Sequence, residues 1–102
     1  MTMMKLVLIV SNITISEDVQ KLLKELDISC FTRIPRLEGV GVTAGARFDN
    51  NIWPGANSAL FVVVPRETAV KLMEAVAELR KREGREGVKA FMLSVDDMTG
   101  EV

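Results

Sequence analysis

Leu6-Val7-Leu8-Ile9-Val10 and Leu60-Phe61-Val62-Val63-Val64 are two runs of strand-forming residues with no polar position in either. A strand with one wet face alternates apolar and polar residues, whereas a strand apolar at every position has both faces covered. These runs are therefore expected to be the central strands of a sheet. Two other segments alternate. Ile28, Cys30, Thr32 and Ile34 fall on one side of an extended chain and Ser29, Phe31 and Arg33 on the other, with Pro35 expected to end the strand. Residues 88–95 set Lys89 outward among Val88, Ala90, Phe91, Met92 and Leu93. Alternating strands of this kind suit the edges.

Between the first two strands, Val19, Leu22, Leu23 and Leu26 recur at i, i+3, i+4 and i+7. That spacing is one stripe of an amphipathic helix over residues 16–26. Ser16 is the expected N-cap, Glu17 and Asp18 suit the positive end of the helix, and Asp27 closes it. Pro65 stops the third strand. Glu67 opens a second helix with Ala69, Leu72, Met73, Val76 and Leu79 on its inner face. Arg80, Lys81 and Arg82 lie at its negative end, and Gly84 follows as a C′ residue.

The order β-α-β-β-α-β, with the first and third strands central, predicts an α+β ferredoxin-like sandwich. Residues 1–102 form one domain in this reading, a four-stranded antiparallel sheet with two helices on one face. Both crossovers are right-handed, which is what places both helices on the same side. The other side keeps half the side chains of residues 6–10 and 60–64, an apolar surface of the kind that marks an interface. A homo-oligomer with sheets packed together is expected.

Composition narrows the function. The chain has 102 residues, 48% hydrophobic and 26% charged, with 13 basic against 14 acidic residues. That balance argues against a nucleic-acid binder, which carries a basic excess. No apolar stretch approaches the ~20 residues that span a bilayer, and the short run after Met4-Lys5 lacks a signal-peptide cleavage site. One cysteine, Cys30, excludes an intrachain disulfide and points to a reducing, cytoplasmic setting. Cysteine is among the most buried residue types, so Cys30 is expected in the core.

The chain contains no histidine, which excludes serine–histidine and cysteine–histidine nucleophile pairs within one chain and histidine metal sites. No catalytic residue, metal ligand set or Walker-type phosphate loop is expected. Asp96 and Asp97 form a carboxylate pair, but in a polar tail that is a poor place to hold geometry. Two features stand above this background. In Arg80-Lys-Arg-Glu-Gly84-Arg-Glu-Gly87-Val-Lys89, cations surround two glycines between a helix end and a strand. Glycine lets backbone N–H groups approach an anion, and Arg or Lys adds charge-assisted bonds to phosphate oxygens. A solvated helix C-cap accounts for the same residues without a ligand. The second feature is the connection 36–57, with Arg36, Gly39, Gly41, Gly45, Arg47 and Trp53. Connections of this length inside a compact fold are usually functional. Trp53 beside Pro54-Gly55 could stack on a partner or pin the loop to its own domain.

The stretches Gly84-Arg-Glu-Gly-Val-Lys-Ala-Phe91, Pro35-Arg-Leu-Glu-Gly-Val-Gly-Val42 and Asn51-Ile-Trp-Pro-Gly55 resemble the PII-like family of trimeric signalling proteins. The resemblance implies a homotrimer, not an enzyme, with a small effector bound in clefts between subunits. It implies that Arg85 and Lys89 hold phosphates of a possible adenine nucleotide and that Gly84 and Gly87 supply backbone donors. Arg36, Gly39 and Gly41 form the arm that closes over the site. Arg47 and Trp53 sit in the part of loop 36–57 that contacts a target protein. The chain lacks tyrosine, so the loop-tyrosine modification of the nitrogen-regulation members does not transfer. Residues 96–102 have no counterpart of their arginine-rich C-terminal segment. The alternative is a CutA-type divalent-cation-tolerance or metal-binding trimer of the same fold.

Overall fold

The computed structural model describes residues 3–38, 57–83 and 87–100. Four strands form an antiparallel sheet: β1 Met4–Asn12, β2 Thr32–Leu37, β3 Asn57–Pro65 and β4 Val88–Ser94. The spatial order is β2-β3-β1-β4. The two runs apolar at every position are thus the central strands, and the fold is the ferredoxin-like βαββαβ arrangement read from the sequence. Two helices complete it, α1 Ser16–Glu25 and α2 Arg66–Glu83.

Alternation sorts the strands into two faces. Val7 stands opposite Val62 and Met92, and Ile9 opposite Leu60 and Ala90. These join Val19, Leu22 and Leu23 of α1 and Ala69, Leu72, Val76 and Leu79 of α2 in one buried cluster. Both helices therefore cover this side. The other side carries Leu6 opposite Val63 and Leu93, and Leu8 opposite Phe61 and Phe91. Its edge residues are open, Phe91 45% exposed, Leu93 49% and Ile34 40%, while Leu6, Leu8, Val10, Phe61 and Val63 at its centre are half-buried and Ala59 is buried.

Three local expectations are corrected. The first helix does not begin at a Ser16 cap. A 3-10 turn, Ile13–Ile15, precedes it, and the capping side chain is that of Asn12. Its Oδ1 accepts the Thr14 N–H at 3.0 Å and the Thr14 hydroxyl at 2.8 Å. The carboxamide caps the 3-10 turn through the N–H two residues on, and α1 continues directly from that turn with Ile15 at its N-cap and no side-chain cap bond.

The second correction concerns β2, which runs Thr32–Leu37 and includes Pro35 rather than ending at it. Asp27 explains the shift. It takes φ 63°, the left-handed conformation that closes a helix. Its N–H donates to the Lys24 carbonyl at 3.0 Å, and the Ile28 N–H to the Leu23 carbonyl at 2.8 Å, the two bonds of a Schellman motif. Ile28 is consequently buried as part of the helix cap and not as the first residue of a strand. Further on, three steps from Ile34 to Leu37 match two steps from Ala59 to Asn57, so β2 holds one extra residue there. A bulge on an edge strand is a place where proline costs no ladder bond.

The third correction is Cys30. It is exposed, in the segment before β2. The helices lie over β1, β3 and β4, and the residues of β2 from Thr32 to Arg36 are all exposed. The general tendency of cysteine to be buried has nothing to act on at an edge the two helices do not reach.

Candidate functional site

The end of the sheet where β1 finishes and β3 begins holds Arg36, Gly87 and Lys89, the expected site residues among those described. Asn57, the first residue of β3, faces both Leu37, the last of β2, and Asn12, the last of β1. The Asn12 N–H donates to the Gly87 carbonyl at 2.8 Å. A single row, Leu37–Asn57–Asn12–Gly87, thus crosses the molecule. It joins the end of β2, the start of β3 and the residue before β4.

Of the expected residues, Arg36, Gly87 and Lys89 are placed. Lys89 stands opposite Val10 and so projects on the open face, not the helix face. Its Nζ lies 5.9 Å from the centre of the Phe91 ring, within cation–π range. It is a cation at the rim of an apolar surface, near the glycine whose carbonyl is held by Asn12. Arg36 is exposed in the β2 bulge. Bulges redirect side chains, and this one takes Arg36 out of simple alternation. Gly39, Gly41, Arg47, Trp53, Gly84 and Arg85 lie outside the described residues.

The three placed residues share one end of the sheet but not one spot. β2 and β4 are its two edges, three interstrand steps of ~4.8 Å apart, which sets the Arg36 and Lys89 backbones about 14 Å apart. At the end of α2, Lys81 leans on Glu78 at 3.5 Å, with both side chains largely in water. Such a pair contributes little.

The link Asn12 makes is not among the features read from the sequence. The available signal was an Asn at the end of an apolar strand with a hydroxyl residue two positions on, the spacing of a side-chain turn. Elsewhere an open groove of about 480 Å³ runs along α1 and the segment after it, lined by Lys21, Lys24 and Phe31 among others. It contains none of the expected site residues. Among the described residues no three of His, Cys, Asp and Glu are grouped as metal ligands. No helix among them is long and apolar enough to cross a membrane.

Comparisons with known proteins agree with this fold. No curated protein matches the chain. Among solved structures, a protein of Thermus thermophilus described as PII-like and signalling superposes with a TM-score of 0.67 at 21% identity, covering 92% of this chain and 87% of that one. CPII, a nitrogen regulatory PII-like protein of Thiomonas intermedia K12 bound to ADP, AMP and bicarbonate, gives 0.71 at 17% identity, with 91% and 90% covered. A DUF3240 family protein of Shewanella baltica gives 0.67 at 14% identity, with both chains fully covered. At these identities the superpositions speak for the fold. The family model described as nitrogen regulatory protein P-II matches residues 4–100, and the chain belongs to that family.

Proposed function

We propose that this protein is a PII-like regulator, not an enzyme, that binds a small anionic effector in clefts between its own copies. The observation that carries the reading is the position of Lys89 and Gly87. A cation and Gly87, the residue before β4, stand at the rim of an apolar sheet face whose edge residues Phe91, Leu93 and Ile34 are exposed. Covering that face with other copies, in a homotrimer, would turn the rim into a cleft with walls from two subunits.

In this reading Lys89 and Arg85 hold phosphate groups, and Gly84 and Gly87 let backbone N–H groups approach them. Arg36, Gly39 and Gly41 form the arm over the site. Loop 36–57, through Arg47 and Trp53, reports occupancy to a target protein, an ordering step of a recognised kind. An adenine nucleotide is the proposed effector, by analogy with CPII, whose structure holds ADP and AMP. The whole chain acts as one such domain in the cytoplasm.

A thermal-shift series with ADP, AMP, ATP, copper and zinc tests the reading. A ligand at 100 times its Kd adds ~2.7 kcal/mol to the folded state. ADP or AMP should raise the melting temperature, and Lys89→Ala, with binding about tenfold weaker, should cut the rise to about half or less while leaving the unliganded melting temperature within a degree or two. A rise with copper or zinc and with no nucleotide would favour the metal-binding alternative.

A further inference from the structure

We propose that Asn12 is a positioning residue that ties Gly87, the residue before β4, to Leu37 and Asn57 at the two roots of the 38–56 connection. An anion held at Gly87 and Lys89 is thereby felt at Leu37 and Asn57. The regulatory meaning rests on the effector reading above; the mechanical link does not.

Asn12 works in two directions. Its Oδ1 accepts the Thr14 N–H and hydroxyl at 3.0 and 2.8 Å, which pins its own backbone at φ −63°, ψ 142° where β1 passes into the 3-10 turn. The pinned backbone aims its N–H at the Gly87 carbonyl, 2.8 Å away. On its other side lies Asn57, which also faces Leu37. The rung beneath is firm: Ser11 and Ser58 face each other at 4% and 3% exposure. A strand end normally frays. This one is held by its own side chain and by the helix that follows, so displacement of Gly87 must either break the 2.8 Å bond or drag Asn12 and its row with it.

Three substitutions separate the parts. Asn12→Ala removes the side-chain acceptor and keeps the N–H. Asn12→Pro removes the N–H as well, and φ −63° is already the angle proline imposes. The preceding Ser11 is extended in β1, as a residue before proline must be. Asn12→Asp keeps both functions and serves as the conservative rescue. Val19→Ala, a cavity in the core under α1, controls for destabilisation alone.

Amide hydrogen exchange of the unliganded full chain is the readout. Asn12→Pro should speed exchange about fivefold or more at residues 87–89 and also at 37–38 and 57–58, the loss of one hydrogen bond expressed as local opening. Asn12→Ala should do the same to a smaller degree, and Asn12→Asp should match wild type. Val19→Ala should leave these positions unchanged at a matched loss of melting temperature. Changes confined to residues 13–16, or the same pattern in Val19→Ala, would overturn the proposal. Should Asn12→Pro fail to fold, the Ala and Asp variants carry the comparison. Added ADP should slow exchange at 87–89 and 37–38 together in wild type, and at 87–89 alone in Asn12→Pro. Slowing at both places in Asn12→Pro would also overturn it. An absence of any ADP effect in wild type would count against the effector reading, while the unliganded comparison decides the role of Asn12.

Discussion

Replacing Leu93 by glutamate should dissociate the protein into subunits that remain folded. Leu93 stands on the open face opposite Leu6, close to Phe91 on the same side of β4, and is 49% exposed in the isolated chain. Burying a leucine, isoleucine or phenylalanine fully contributes ~1.5–3 kcal/mol. Covering the remaining half of Leu93 therefore gains about 1 kcal/mol. Phe91 at 45% and Ile34 at 40% gain similar amounts, so these three side chains together supply about 3 kcal/mol per subunit. A carboxylate at position 93 forfeits the leucine share and adds the cost of burying a charge, several kcal/mol even after relaxation. In a trimer that cost is incurred three times, enough to undo assembly at micromolar concentration, where association is worth ~8 kcal/mol. In the separated chain the same glutamate stands in water, so the helix-side core is untouched. Sedimentation velocity on wild type and Leu93→Glu, with far-ultraviolet circular dichroism as the folding check, makes the measurement. A monomeric wild type, or a Leu93→Glu variant that sediments with it as a trimer, would refute the assignment of the open face.

Other outcomes follow from single residues. Asp27→Gly should raise stability by about 0.5–1 kcal/mol, because glycine takes the positive φ of the helix cap without the penalty of a Cβ; a fall in the urea midpoint would refute the cap reading. Leu72→Ala, at a fully buried position where α2 meets the sheet, should cost about 2–5 kcal/mol in denaturant unfolding. A cost below about 1 kcal/mol would mean that α2 does not seat as described. In the dissociated Leu93→Glu chain, Cys30 should react with a maleimide as fast as in urea, since it is exposed beside the β2 edge; slow reaction would put it back in a core.

The fold was legible because its strongest signals were physical requirements on whole faces. The runs at 6–10 and 60–64 are apolar at every position because helices cover one side and the other is the open face proposed for assembly. Val19, Leu22 and Leu23, and Ala69, Leu72, Val76 and Leu79, could be read as helix stripes for the same reason. What was misread depended on single backbone conformations. The positive φ at Asp27 moves Ile28 from a strand into a helix cap, and no side-chain pattern announces it. Pro35 looks like a stop, but an edge strand with a bulge accommodates it. For the candidate site, composition singles out Gly87 and Lys89 but says nothing of how they are placed. The row that joins Gly87 to the loop roots depends on strand register, and residue types alone do not carry register.

The central claim, a nucleotide held at Lys89 in clefts between copies, is tested most directly by isothermal titration of ADP into wild type, Lys89→Ala and the dissociated Leu93→Glu chain. The account predicts one ADP per subunit in the assembled wild type. Lys89→Ala should weaken binding about tenfold or more, as loss of a charge-assisted phosphate contact of ~1.5–3 kcal/mol implies. Binding should be lost in Leu93→Glu, where the second wall of the cleft is gone. Equal affinity in all three proteins would place the nucleotide elsewhere and contradict the account.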